Sequence, residues 1–203
     1  MKMSRRPDPT RKPELLAQIL DYLLDKPLAS LTFRSAAAAL GVSTYTLVYQ
    51  FGTRNELISE IVRAISARRA LIEESFVSTV NTLETYYENL RVSWQWTLDP
   101  RNRQLQRLEF EATMLEAVEP DVHNFSRELF VFWLRVGRES LESFGLTPED
   151  AAIESRIMVD AFYGLQYDLV VNGDDNGATA AFDRLITHHR ERVEALSHAR
   201  LPA

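Results

Sequence analysis

Two short helices hinged on a tight turn constrain this 203-residue chain more than any other feature. The stretch Leu31–Leu57 reads LTFRSAAAALGVSTYTLVYQFGTRNEL. Thr32 suits an N-cap, because its hydroxyl can accept from an otherwise unpaired backbone N–H of the first turn. The run Ala36 to Ala39 then propagates a helix that Gly41 ends, since glycine adopts the left-handed conformation of a C-terminal cap. Ser43 caps a second helix that ends near Tyr49 and is broken by Gly52. Alanines on the first helix let the second cross closely and steeply, with Val42 and Leu47 filling the space between them. That is the arrangement of a helix-turn-helix.

The flanks repeat the helical period. Pro13 can sit in a first turn, followed by Leu15, Leu16, Ile19, Leu20, Leu23 and Leu24 on one face, and Pro27 stops that helix. Thr53-x-x-Glu56 reads as a capping box opening a helix that turns Leu57, Ile58, Ile61, Val62 and Ile65 inward. Longer helices are expected over Val77–Leu98, Asn102–Val118, Asp121–Phe144, Thr147–Val171 and Ala178–Leu196, with Pro100, Gly145 and the NGDDNG stretch (Asn172–Gly177) as breaks. With seven glycines, eight prolines and almost no β-branched alternation, the chain reads as all-α with nine helices.

The second helix of the hinged pair exposes Thr44, Tyr45, Thr46, Val48, Tyr49 and Gln50. None is acidic, and together they donate, accept, or offer methyl and ring surface, which suits the major groove of DNA. Net charge at −6 argues the other way, but its distribution reverses that reading. Residues 1–54 carry eight bases (Lys2, Arg5, Arg6, Arg11, Lys12, Lys26, Arg34, Arg54) against four acids, leaving fifteen bases and twenty-five acids for the remainder. A basic head on an acidic body fits phosphate neutralisation by the head.

Thr32-Phe33-Arg34, Leu40-Gly41-Val42-Ser43, Thr46-Leu47 and Phe51-Gly52-Thr53-Arg54-Asn55-Glu56-Leu57 together resemble the tetracycline-repressor (TetR) family of bacterial regulators. The resemblance covers about 45 residues of motif and is architectural beyond them. It implies a helical dimer that binds a palindromic operator on double-stranded DNA and is released when a small molecule enters the larger domain. Carried over residue by residue, it implies that Thr32 and Arg34 lie at the phosphate backbone. Thr44, Tyr45 and Thr46 would approach the bases, Tyr49, Gln50 and Arg54 would contact phosphates, and Ser43, which caps the helix, belongs to the same DNA-binding set. Where the family commonly has a tyrosine directly after Thr-Leu, this chain has Val48, so that contact becomes apolar. The resemblance divides the chain into a helix-turn-helix domain at 1–54 and an effector-binding and dimerisation domain at 55–203.

The body concentrates large apolar side chains, and Met158, Phe162 and Leu165 share one helix face. Trp96, Phe110, Met114, Trp133, Phe162, Tyr163 and Gln166 are the expected ligand-binding residues, favouring an apolar or aromatic effector oriented by hydroxyl and amide groups. The last two helices resemble the antiparallel pair through which family members form homodimers.

Other chemistries find little support. Adjacent His188 and His189 point about 100° apart on a helix and cannot share one metal from one face. His123 and His198 are isolated, and no cysteine is present, so no metal site is expected. Glu109, Glu111 and Glu116 read as a solvated face. No phosphate loop or nucleophile elbow occurs, so no catalytic residue and no cofactor are assigned. The absence of an apolar N-terminal segment and of any 18-residue apolar run leads to the expectation of a cytoplasmic protein without membrane contact. The alternative is a helical metabolite-binding protein or enzyme in which the hinged helices are incidental.

Overall fold

Leu15, Ile19, Leu20 and Leu23 recur at the spacing of one helix face, and they lie buried along α1 (Arg11–Leu23). They do so in the computed structural model, which describes residues 10–65, 80–118 and 125–198. The expected bases Lys2, Arg5 and Arg6, the start of a helix at Val77, and Asp121 and His123 lie outside these residues. Among the described residues there are nine α-helices and no strand.

After α1 a single 3-10 turn (Leu28–Ser30) leads to α2 (Phe33–Leu40), α3 (Thr44–Phe51) and α4 (residues 54–65). The capping chemistry read from sequence is present. Thr32 Oγ1 accepts from the backbone N–H of Ser35, and Ser43 Oγ from that of Thr46, both at 3.0 Å. The Thr53 and Glu56 side chains accept reciprocally from each other's backbone N–H groups. Hydrogen bonds to the Glu56 carboxyl from the Thr53 backbone N–H and the Thr53 hydroxyl hold it below its usual range. Gly41 ends α2 at φ +65°.

The body comprises α5 (Leu83–Leu98), α6 (Pro100–Val118), α7 (Phe125–Ser143), α8 (Pro148–Asn172) and α9 (Asp175–His198). Three helix starts differ from expectation: residues 80–82 are not helical and α5 begins at Leu83, where Thr82 Oγ1 accepts from Thr85 N–H, and an aspartate caps each of the other two helices. Asp99 Oδ1 accepts from the N–H groups of Arg101 and Asn102, so Pro100 opens α6 instead of merely separating two helices. Asp174 Oδ1 accepts from Gly177 N–H at 2.9 Å, so α9 begins at Asp175 and the NGDDNG turn shrinks to Gly173 and Asp174.

Two apolar cores result. The first joins Leu15, Ile19, Leu47, Leu57 and Ile61 from the first four helices to Leu108 and Ala112 of α6. The second gathers Tyr87, Trp94, Leu141, Met158 and Phe182 from α5, α7, α8 and α9. At its centre Trp94 stacks on Phe182 with ring centroids 4.8 Å apart, and its indole N–H donates to Thr179 Oγ1 at 3.1 Å. The α7–α8 crossing is close because Gly137 faces Ser155: a Cβ on Gly137 would sit 2.5 Å from Ser155 Oγ. That hydroxyl donates to the Leu134 carbonyl at 2.9 Å.

The helix α6 ties the two cores together with charge as well as apolar surface. Arg107 donates to the carbonyls of Leu23 and Leu24 at the end of α1 and pairs with Glu111, which accepts from Leu28 N–H. Arg101 reaches Asp21 of α1 at 2.5 Å.

Candidate functional site

The large apolar side chains exposed on the hinged pair belong to α3. Leu47 and Phe51 point into the first core, which turns the opposite face outward. On that face Tyr45 is 77% exposed and Tyr49 64% exposed, their rings stacked with centroids 6.4 Å apart. Thr44 is exposed beside them, and Val48 also faces solvent. Leaving two tyrosines and a valine in water on an eight-residue helix is unfavourable unless another surface meets them.

The remaining residues expected at this face divide into exposed side chains and half-buried ones. Thr32, Arg34 and Ser43 are exposed at the starts of α2 and α3, while Thr46 and Gln50 are half-buried. The hydroxyls of Ser43 and Thr46 lie 2.8 Å apart, so both serve the cap of α3. Arg54 is also half-buried: its Nε donates to the Leu31 carbonyl at 2.9 Å, fixing the start of α4 against the strand of chain entering α2. The structure therefore gives Arg54 a scaffolding bond that sequence reasoning did not foresee.

A cavity of about 70 Å³ opens between α5, α7 and α8. Trp96, Trp133, Phe162, Tyr163 and Gln166 line it, so five of the seven expected ligand-binding residues converge on one space. Phe110 and Met114 stand apart from that lining. Phe110 packs edge-on against the rings of Tyr163 and Tyr167, with centroids 6.3 and 5.7 Å away, and Met114 is 66% exposed. Seven more residues complete the wall, among them Tyr86, Leu90, Ser93 and Gly137, which sequence reasoning missed. Leu90, Ser93 and Trp96 recur at i, i+3 and i+6 along α5, a spacing that could have found them.

No family model matches the sequence, and no curated protein matches it. Solved structures do. A TetR transcriptional regulator from Legionella pneumophila superposes with a TM-score of 0.64 at 15% identity, covering 96% of this chain and 98% of that one. The multidrug binding protein EbrR, complexed with imidazole, gives 0.65 at 18% identity, over 97% of this chain and 98% of that one. A TetR variant from Acinetobacter baumannii in complex with minocycline gives 0.59 at 16% identity, over 95% and 99%. The chain has the TetR-family fold.

Within this TetR-family fold, the acids expected to form a solvated face are in fact structural. Glu109 is 3% exposed, and its carboxylate accepts from the Tyr163 hydroxyl at 3.4 Å. Glu116 is buried, and both its oxygens accept from Ser126 N–H at the start of α7. Glu111 is the partner of Arg107 and Leu28 described above. A buried carboxyl needs hydrogen-bond partners, and Tyr163, Leu28 and Ser126 supply them from other helices or loops. The same helix thus touches Tyr163, a wall residue of the cavity, on one side and the end of α1 on the other.

His189 is also buried, at 4% exposure, beside the buried Glu154 and Tyr87. Its Nε2 faces the Glu154 carbonyl at 3.1 Å and therefore carries the proton, leaving Nδ1 to accept from the Tyr87 hydroxyl at 2.8 Å. Burial pushes its pKa below the ordinary 6.5 and pushes that of Tyr87 up. No helix among the described residues is long and apolar enough to cross a membrane.

Proposed function

We propose that this chain is a homodimeric, cytoplasmic transcriptional regulator without catalytic activity. It represses by holding a palindromic operator, and it lets go when a small, largely apolar effector enters the body. In this reading residues 1–54 read DNA, and residues 55–203 bind the effector and dimerise. The observation that carries it is the outward face of α3, where Thr44, Tyr45 and Tyr49 stand exposed on a helix whose other face is locked into a core. Base edges meet Thr44, Tyr45 and Thr46, assisted by Ser43. Thr32, Arg34, Tyr49, Gln50 and Arg54 meet phosphates.

Dimerisation through α8 and α9 is supported by an apolar stripe. Ile153, Ile157, Tyr167 and Val171 are all exposed along α8. At 100° per residue they fall within about 40° of one line. A second copy covering that stripe gives a two-fold assembly that sets two α3 helices about one turn of DNA apart.

The cavity supports the effector half of the reading, as do the neighbours solved with imidazole and with minocycline. At roughly 10–15 Å³ of such volume per water, 70 Å³ holds on the order of five waters. A larger effector must push α7 and α8 apart. Tyr163 touches Glu109 and Phe110 of α6, and α6 grips α1, so wall displacement reaches the DNA-reading helices through packed and bonded groups. A shift of a few kcal/mol between two subunit geometries suffices to release DNA.

A mobility-shift assay against the DNA flanking the chain's own gene tests the proposal. Retarded DNA that is freed by an apolar ligand is the expected result. Ligand turnover or ligand binding with no DNA affinity supports instead a metabolite-binding protein or enzyme.

A further inference from the structure

Gln166 is the polar group set deepest in the cavity wall, at 1% exposure. Its orientation follows from its neighbour. Thr97 Oγ1 donates its one hydrogen to the Ser93 carbonyl at 3.0 Å, within α5. Toward Gln166 it can therefore only accept, and the group 3.0 Å away must be the amide nitrogen. The amide oxygen is thereby turned from Thr97, and no protein group among the described residues donates to it. A buried acceptor left without a donor carries a desolvation penalty comparable to a lost hydrogen bond.

The wall also carries the Tyr86 and Ser93 hydroxyls and the Trp96 and Trp133 indole N–H groups, but none of them is hydrogen-bonded to Gln166 Oε1. Trp96, Trp133, Phe162 and Met158 surround the space with ring and thioether surface. The Tyr163 hydroxyl is directed to Glu109. The cavity is thus apolar on most sides, with one preset acceptor whose amide is anchored from behind.

We propose that the effector is a compact aromatic or aliphatic body bearing a hydrogen-bond donor, a hydroxyl or N–H group, which it delivers to Gln166 Oε1. This rests on the reading of the cavity as the effector site and adds the chemistry that selects the ligand. A site with a buried unpaired acceptor discriminates against an isostere that lacks the donor, because the acceptor then stays unsatisfied in the complex. An apolar wall alone makes no such distinction.

The test is a matched pair of probes, phenol and toluene, titrated into the full-length protein by calorimetry, with anisole as the acceptor-only control. Wild-type protein binds phenol roughly tenfold to a hundredfold more tightly than toluene or anisole. In Gln166→Leu, which keeps the volume and removes the acceptor, the preference falls to within about twofold. Equal binding of phenol and toluene by the wild type overturns the donor inference and leaves an apolar ligand site standing. Binding of none of the three overturns the reading of the cavity as a ligand site, and the inference with it. The wild-type comparison decides the matter even if the variant folds poorly.

Discussion

Arg107 of α6 donates through Nη2 to the backbone carbonyl of Leu23, the last residue of α1, at 2.8 Å. One cation from the body thus caps the carboxyl end of the first helix, where unpaired carbonyls and the helix dipole both favour positive charge. Its second carbonyl, Leu24 at 3.2 Å, and its carboxylate partner Glu111 hold the guanidinium in place.

Removing that cation is therefore expected to loosen the whole head. Arg107→Met, which keeps the stem, removes the guanidinium from two carbonyls and from the Glu111 carboxylate, leaving Leu23 with Lys26 N–H and Glu111 with Leu28 N–H as donors. A loss of about 1–3 kcal/mol corresponds to a fall in melting temperature of roughly 3–9 °C at this chain length. Hydrogen exchange should also quicken in the last turn of α1. A melting curve that superposes on the wild type removes Arg107 from the link.

At the opposite extreme, Tyr45→Ala is expected to leave stability within about 0.5 kcal/mol, because the ring is almost wholly in solvent. Affinity for operator DNA, measured by fluorescence anisotropy, should fall at least about tenfold. Equal loss of both properties, or of neither, contradicts the assignment of α3.

Much of this was legible from residues alone, and the limits are physical. Thr32, Ser43, Thr53 and Thr147 announced helix starts because a cap is a local bond between residues three apart. Asp99 and Asp174 obeyed the same rule but stood beside a proline and within a glycine-rich stretch, which masked them as mere breaks. Burial of Glu109 and Glu116 was not legible, since an acid reads as solvated until its distant donors, Tyr163 and Ser126, are in place. For the cavity, helix periodicity grouped Met158 and Phe162, which line it, with Leu165, which does not; Tyr163 and Gln166 were singled out by their hydroxyl and amide, and no signal gave depth along α6. Phe110 and Met114 were therefore placed in a space they do not line.

The stripe on α8 carries its own prediction. Ile157→Arg puts a charge in the middle of the proposed seam while altering nothing in either core of the single chain. Sedimentation should show a monomer with wild-type helicity and much weakened operator binding. A dimer that survives the substitution places the interface elsewhere.

The pH dependence of stability follows from His189. Burial among Tyr87, Glu154 and the helices that carry them holds the folded imidazole neutral below the ordinary 6.5. As pH falls through 6.5 the unfolded chain takes up a proton that the folded chain refuses, so the folded state loses stability in that direction. Above 6.5 the contribution is constant. Neighbouring charges oppose but do not reverse this: the Glu154 carboxylate lies 3.9 Å from Nε2, and Arg192 pairs with it. Melting temperature should decline from pH 7 to pH 5.5 more steeply in the wild type than in His189→Gln. Parallel declines contradict it.

In the proposed function, a paired assembly sets two α3 helices into successive major grooves. Hydroxyl-radical footprinting on DNA flanking the chain's own gene measures this directly. Two protected patches, centred about 10 base pairs apart on one face of the duplex and both lost in Tyr45→Ala, are the predicted pattern. A single patch, or protection that survives loss of Tyr45, contradicts it.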